Sequence, residues 1–192
     1  MNSPRPRAAL RQTLLAQRRA FTTASEHAAA FAAAQVALSA HLRALLQQLE
    51  AECVGIYWAM QGEFDAVAAC SSDPTLAALP WALPYAQKAP PQMHYRLWDK
   101  GPLSTSDECG IPSPKGALCV PDVLLVPCLG YTPHGYRLGY GGGYFDRYMA
   151  LHPGLTTVGV AWIGCEISEE AFAPQAHDQP LTLVVTPQGV VN

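Results

Sequence analysis

Residues 123–126 read Val-Leu-Leu-Val, held between Asp122 and Pro127, and no polar side chain interrupts them. A strand with one face in water alternates apolar and polar side chains. An uninterrupted apolar run fits instead a strand covered on both faces. Residues 54–59, 81–85, 93–98, 157–162 and 182–186 carry further runs of strand length and character.

Helix-sized pieces precede and separate these runs. Residues 6–19 set Leu10, Leu14 and Leu15 on one stripe. Residues 25–49 are rich in alanine, a strong helix former, and Phe31, Val36, Leu38, Leu42, Leu45, Leu46 and Leu49 give them an apolar face. Thr23, followed three residues later by Glu26, has the spacing of a capping box for that second helix. Residues 65–71 read as a further short helix. Strands alternating with helices and covered on both faces predict a three-layer α/β/α fold with a mainly parallel central sheet. The 192 residues contain no internal repeat or low-complexity linker, so a single domain over residues 1–192 is expected. Residues 102–121 form a long proline-rich loop, a type often tied to function.

Composition narrows the function. The net charge of -3 carries no basic excess, which argues against a nucleic-acid partner. No apolar run reads as a membrane span, and the arginine-bearing N-terminus lacks the apolar core of a signal peptide. A cytoplasmic protein without a membrane partner is expected. The six cysteines, Cys53, Cys70, Cys109, Cys119, Cys128 and Cys165, include no C-x-x-C pair. They read as buried reduced thiols rather than disulfides or zinc ligands.

Residues 137–148 carry the chemistry: Arg-Leu-Gly-Tyr-Gly-Gly-Gly-Tyr-Phe-Asp-Arg-Tyr. A backbone of Gly139, Gly141, Gly142 and Gly143 can wrap a ligand closely and turn several N–H groups inward. A helix starting just beyond would add partial positive charge, so an anion is the natural guest. Arg137 before the loop and Asp146 after it supply a cation and a possible metal carboxylate. The segment is not a P-loop, because no Gly-Lys-Ser or Gly-Lys-Thr ends it. It is not the dinucleotide fingerprint either, because Tyr144 stands where the third glycine belongs. On the first helix, Arg7, Arg11 and Arg18 lie within about 40° of one another on a helical wheel of 3.6 residues per turn. They form either a solvated rim beside the leucines or an anion-binding edge packed against a site.

The runs Asp122-Val-Leu-Leu-Val-Pro-Cys-Leu-Gly and Gly135-Tyr-Arg-Leu-Gly-Tyr-Gly-Gly-Gly-Tyr-Phe-Asp-Arg-Tyr resemble the signature of the 5-formyltetrahydrofolate cyclo-ligases. This family is also called the methenyltetrahydrofolate synthetases. The resemblance extends over nearly the whole chain. Arg7-Ala-Ala-Leu-Arg11 with Arg18 resembles the family's opening, and Tyr57-Trp-Ala-Met-Gln-Gly-Glu63 its strand-to-loop substrate segment. Gly110-Ile-Pro-Ser-Pro114 and His177-Asp178 resemble two later elements.

The resemblance implies an ATP-dependent ligase of one-carbon metabolism, with Mg2+ as cofactor. It would close 5-formyltetrahydrofolate to 5,10-methenyltetrahydrofolate through a phosphorylated formyl group, releasing ADP and phosphate. The implied ATP-binding residues are Arg7, Arg11, Arg137, Leu138, Gly139, Tyr140, Gly141, Gly142, Gly143, Tyr144 and Phe145. Trp58, Met60 and Glu63 are implied on the folate side, together with Tyr140, Gly141, Gly142, Gly143 and Tyr144. Arg137 and Tyr144 would be catalytic, and Asp146 and Asp178 would hold the metal. Both expected partners are small molecules, and a monomer is expected. The alternative is a family paralogue that binds ATP but uses another substrate or serves regulation. Three positions depart from the family pattern. Arg7 stands for a usual lysine, Phe145 for a common tyrosine, and Tyr140 occupies a position that is arginine in many relatives.

Overall fold

In the computed structural model, which describes residues 7–191, a mixed sheet of eight strands runs through the centre of the protein. The chain begins with α1 (Arg7–Thr23), a 3-10 turn (Ser25–His27) and α2 (Ala28–Gln48). It continues through β1 (Val54–Gly55), α3 (Ala66–Ser71), α4 (Pro74–Ala78), β2 (Trp81–Lys88), β3 (Pro91–Trp98) and β4 (Leu118–Cys119). The second half holds β5 (Val123–Pro127), β6 (Gly130–Tyr131), β7 (Arg137–Leu138), α5 (Tyr144–Leu151), β8 (Thr156–Val160), β9 (Leu183–Thr186) and β10 (Gly189–Val191).

The strand order is β10-β9-β8-β5-β1-β2-β3-β4. Neighbours from β9 through β8, β5 and β1 to β2 are parallel, and β10, β3 and β4 add antiparallel edges. Val123, Leu124, Leu125 and Val126 of β5 are all buried, as a central strand between two helical layers requires. On one face Trp81 of β2 donates its indole N–H to the Leu76 carbonyl of α4 at 3.0 Å. On the other, Tyr95 of β3 packs against Tyr148 of α5, with ring centroids 5.0 Å apart. The three-layer α/β/α fold with a mainly parallel sheet is therefore the one formed.

Several boundaries differ from expectation. Pro6 lies outside the described residues. The capping box does not form. α1 runs on through Thr23, whose hydroxyl donates back to the Arg19 carbonyl at 2.8 Å, and Ala24 stands at the cap instead. The strand expected over residues 54–59 pairs in a ladder only at Val54 and Gly55, after which the chain swings away to line a crevice. Residues 102–121 contain β4, and α4, the β6–β7 hairpin and β10 lie beyond what periodicity signalled.

Residues Ser25–Gln48 are, by length and composition, apolar enough to cross a membrane, which corrects the expectation that no run is. Here the segment serves as a packing helix. Ala34, Leu38, Leu42, Leu45 and Leu46 are buried, and α2 lies against α3, α4 and β9. All six cysteines are free. Cys70, Cys128 and Cys165 are buried as expected, whereas Cys53 and Cys119 are half-buried and Cys109 is exposed.

Asp65 caps α3, its carboxylate accepting the Ala68 N–H at 2.9 Å. Replacing Asp65 by alanine should cost about 1 kcal/mol. In a domain of this size that lowers the melting temperature by about 2–4 °C. A thermal scan followed by circular dichroism reads it, and an unchanged midpoint would mean that the cap contributes nothing.

The winding positions the site. From β1 the chain builds β2, β3 and β4 outward on one side, then returns to place β5, β8, β9 and β10 on the other. The loops leaving the carboxyl ends of β1 and β5 therefore diverge, and that crevice is where open α/β sheets hold ligands.

Candidate active site

Beyond Pro127 the chain folds into the β6–β7 hairpin, where Leu129 N–H meets the Leu138 carbonyl at 3.0 Å, and then into the glycine loop. Gly143 sits at φ +63° as the N-cap of α5, a left-handed turn that glycine adopts without a Cβ clash. The first N–H groups of α5 have no intrahelical acceptor and face the crevice end of the helix. Arg137 is buried. Its guanidinium donates to Asp146 at 3.1 Å and lies 5.0 Å from the centre of the Phe145 ring. Leu138 turns its side chain into a small apolar cluster with Leu10, Leu14, Leu129, Ile167 and Phe172. That cluster seats α1 beside the loop.

The arginine stripe of α1 packs against the glycine loop and the Asp178 segment and is not a solvated rim. Arg7 makes a two-point pair with the Asp178 carboxylate, donates to the Ala173 carbonyl at 2.9 Å and lies 4.5 Å from the centre of the Phe172 ring. Arg11 donates through Nε to the Gly139 carbonyl at 2.9 Å. Arg18 is buried, donating to the Cys128 carbonyl at 2.6 Å and to the Tyr140 hydroxyl at 2.8 Å. The first two keep part of each guanidinium on a cavity of about 500 Å³; Arg18 stands behind its wall.

The residues that the resemblance implied for ATP, folate and metal all border this cavity: Arg7, Arg11, Trp58, Met60, Glu63, the loop from Arg137 through Phe145, Asp146 and Asp178. Trp58 meets Trp98 edge-on at 6.1 Å between centroids. The Glu63 carboxylate accepts the Met60 N–H at 2.9 Å. Burial pushes its carboxyl above the ordinary range, against the Met60 N–H, Tyr140, Arg18 and Arg137, which all favour the charged form. Tyr144 stands at the mouth, where the Cys109 thiol reaches its hydroxyl at 3.6 Å.

Asp146 and Asp178 lie on the same wall, and the Gln179 N–H reaches Asp146 at 3.4 Å. Burial raises the Asp178 carboxyl, but the pair from Arg7 and the Gln175 N–H more than offset it and leave it below the usual range. Among the described residues no three His, Cys, Asp or Glu side chains cluster as a ready-made metal cage. Two carboxylates beside a glycine loop suit a magnesium ion, which takes most of its ligands from phosphates and water. The donor set therefore fits that ion.

The opposite wall was not read from the sequence. Pro84, Ala86 and Met93 come from the antiparallel β2–β3 pair. The turn over residues 107–111 is pinned by Asp107, whose carboxylate accepts N–H groups from Cys109 and Ile111 at 2.8 Å each and from Ala86 at 3.1 Å. The Gly110-Ile-Pro element pointed near it; the buried carboxylate behind that element carried no separate signal. A second cavity, of about 530 Å³ beside Trp81, Leu97 and Lys115, contains none of the residues implied for ATP, folate or metal, although Ser113 and Pro114 of the Gly110–Pro114 element line it.

Residues 4–187 match the model of the 5-formyltetrahydrofolate cyclo-ligase family. Over 71 residues, 36% of this chain, the sequence is 38% identical to the 5-formyltetrahydrofolate cyclo-ligase of Escherichia coli K12. Over 65 residues it is 34% identical to the Mycoplasma pneumoniae enzyme of the same name. Each alignment spans 38% of the curated relative's length. The fold is similar to that of a 5,10-methenyltetrahydrofolate synthetase from Mycoplasma pneumoniae, with a TM-score of 0.73 at 19% identity over 94% of this chain and 98% of that one. It is also similar to the Aquifex aeolicus 5,10-methenyltetrahydrofolate synthetase, with a TM-score of 0.75 at 23% identity over 97% and 92%.

Proposed function

This chain belongs to the 5-formyltetrahydrofolate cyclo-ligase family, and from that premise we propose that it catalyses the ATP-dependent closure of 5-formyltetrahydrofolate to 5,10-methenyltetrahydrofolate. The observation that carries the reading is one cavity at the β1–β5 crevice, bordered at once by a phosphate cradle, an arginine stripe, two carboxylates and the Trp58–Glu63 segment.

The formyl oxygen attacks the γ-phosphorus; the bond to ADP breaks and ADP leaves. The N10 lone pair then attacks the formyl carbon of the resulting iminium phosphate, the carbon–oxygen bond breaks, and phosphate departs as N10 loses its proton. Phosphoryl transfer of this kind depends on positioning and charge neutralisation. The amides of the glycine loop and of the first turn of α5 hold the phosphate oxygens, and Arg137 follows the transferred group. Arg7 and Arg11 pair with the remaining phosphates. Asp146 and Asp178 would hold magnesium, which when bound neutralises phosphate charge. On the folate side Glu63 accepts pterin N–H groups, Trp58 offers an apolar face, and Tyr144 stands beside the formyl group. Arg7 in place of lysine explains its grip on both Asp178 oxygens, a fork that an ammonium cannot reproduce. Phe145 in place of tyrosine supplies a ring to Arg137 and no hydroxyl. The partners are these two small molecules, and the protein acts as a cytoplasmic monomer.

Purified protein with Mg-ATP and 5-formyltetrahydrofolate should generate the methenyl product, followed by its near-ultraviolet absorbance. ATP binding without that product would favour a paralogue with another substrate. Neither binding nor turnover would overturn both readings.

A further inference from the structure

Glu63 is a buried carboxylate whose nearest cation does not border the cavity. Its side chain is 4% exposed, and Arg18, at 2%, approaches it to 3.8 Å from the far side. Arg18 has no other carboxylate within salt-bridge reach among the described residues; its second nitrogen is held by the Cys128 carbonyl at 2.6 Å. The Arg18 nitrogen that approaches Glu63 also donates to the Tyr140 hydroxyl at 2.8 Å, so one Nη1 serves both groups. Arg18 also packs beneath Gly62, whose carbonyl accepts the Trp162 indole N–H at 2.8 Å, so the backbone that carries Glu63 is fixed from below.

We infer that Arg18 and Tyr140 are positioning residues for the folate site: Arg18, steered by the Tyr140 hydroxyl that shares its Nη1, holds Glu63 as an oriented carboxylate acceptor. The inference rests on the folate-side role proposed for Glu63. An ionised carboxylate only accepts hydrogen bonds, whereas a protonated one becomes a donor on one oxygen and mismatches a ligand edge of N–H groups. The groups facing Glu63 are Arg18 from α1, Arg137 from β7, Tyr140 from the glycine loop, and Tyr57 and the Met60 N–H from its own segment. Burial works toward protonation, and Arg18, Arg137, Tyr140 and the Met60 N–H oppose it. Removing Arg18 or the Tyr140 hydroxyl removes part of that opposition, so Glu63 takes up its proton at higher pH. Because Tyr140 belongs to the glycine loop, the loop that cradles phosphate also completes the acceptor for folate.

The test is the pH dependence of the two Michaelis constants in wild type and in Y140F, R18K and R18M. In Y140F the acid limb of the folate KM should move up by about one pH unit, a tenfold change in proton affinity. R18M should move it further, and R18K should recover part of the shift. The KM for ATP should keep its pH profile throughout. If R18M does not fold, Y140F still decides, since its ring remains and only the hydroxyl is lost. An unmoved limb in Y140F and R18K, or folate and ATP constants rising together, would overturn the inference. Turnover by the wild type keeps the proposed function standing whatever the variants do. If the wild type is inactive, that function fails, and the pairing is read directly from the ¹³C shift of a labelled Glu63 carboxyl. The same midpoint in wild type and Y140F then overturns it.

Discussion

Replacing Asp146 by asparagine should lower turnover by about 10²–10³-fold, the range seen when one preorganised charge contact to a transferring group is lost. Two consequences combine at this residue. The carboxylate proposed to hold magnesium becomes neutral, and Arg137 loses the charge that aims it. The Arg137–Asp146 pair is nearly dry, with side chains 6% and 15% exposed, and the Arg137 Nε has no partner among the described residues. Alanine at this position would leave a buried cation unpaired, a loss of about 3–5 kcal/mol in comparable pairs. Asparagine keeps an oxygen toward Arg137 and the Gln179 N–H, so most of the stability should survive. Steady-state turnover and a melting curve on the same sample separate the two effects. Turnover within about tenfold of wild type, less than any of these charge contacts supplies, would remove Asp146 from the proposed machinery.

The sheet was legible because its central strand β5 is apolar throughout and β8 is rich in β-branched residues. Residues 123–126 and 157–160 have almost no choice but a position between two helical layers. The edge strand β4 and the separate β6–β7 hairpin were not, since these strands are two residues long and too short for any period to show. The Thr23–Glu26 spacing misled for a local reason. A capping box needs the chain to stop being helical at Thr23, and Phe21, packing edge-on to Phe31 at 5.6 Å and to Trp162 at 5.8 Å, keeps α1 helical to that point.

The candidate site was legible wherever one face of one element carried it. The spacing of Arg7, Arg11 and Arg18 put all three on one side of α1 before any partner was known. Their separate fates were not legible. Arg18 is buried because Tyr140 and Cys128, more than a hundred residues away, fold over it. Asp107 escaped notice for a different reason: its turn carries no periodicity, and two of its three N–H partners lie on that turn, the third on β2. Long-range closure of a cavity is a property of topology, and no local pattern in the sequence encodes it.

Alanine at Gly141 should raise the KM for ATP by about 10–100-fold while the folate KM moves far less, an affinity loss of about 1.4–2.8 kcal/mol. Gly141 sits at φ +99°, a backbone that L side chains rarely adopt, and a Cβ built there stands 3.2 Å from the Arg11 guanidinium carbon. The added methyl therefore acts twice. It strains the loop by about 1–3 kcal/mol, and it pushes at an arginine whose Nε is already committed to the Gly139 carbonyl. Either the loop flattens and turns its amides away from the phosphates, or Arg11 releases the loop. Gly164 provides the control. It too has positive φ, +74°, but its Cβ would meet nothing within 4 Å, and it does not border the cavity. Gly164→Ala should lower the melting temperature without changing the KM for ATP. Equal kinetic effects at the two positions would mean that the loss at Gly141 is general backbone strain, and the glycine loop would lose its assignment as the phosphate cradle.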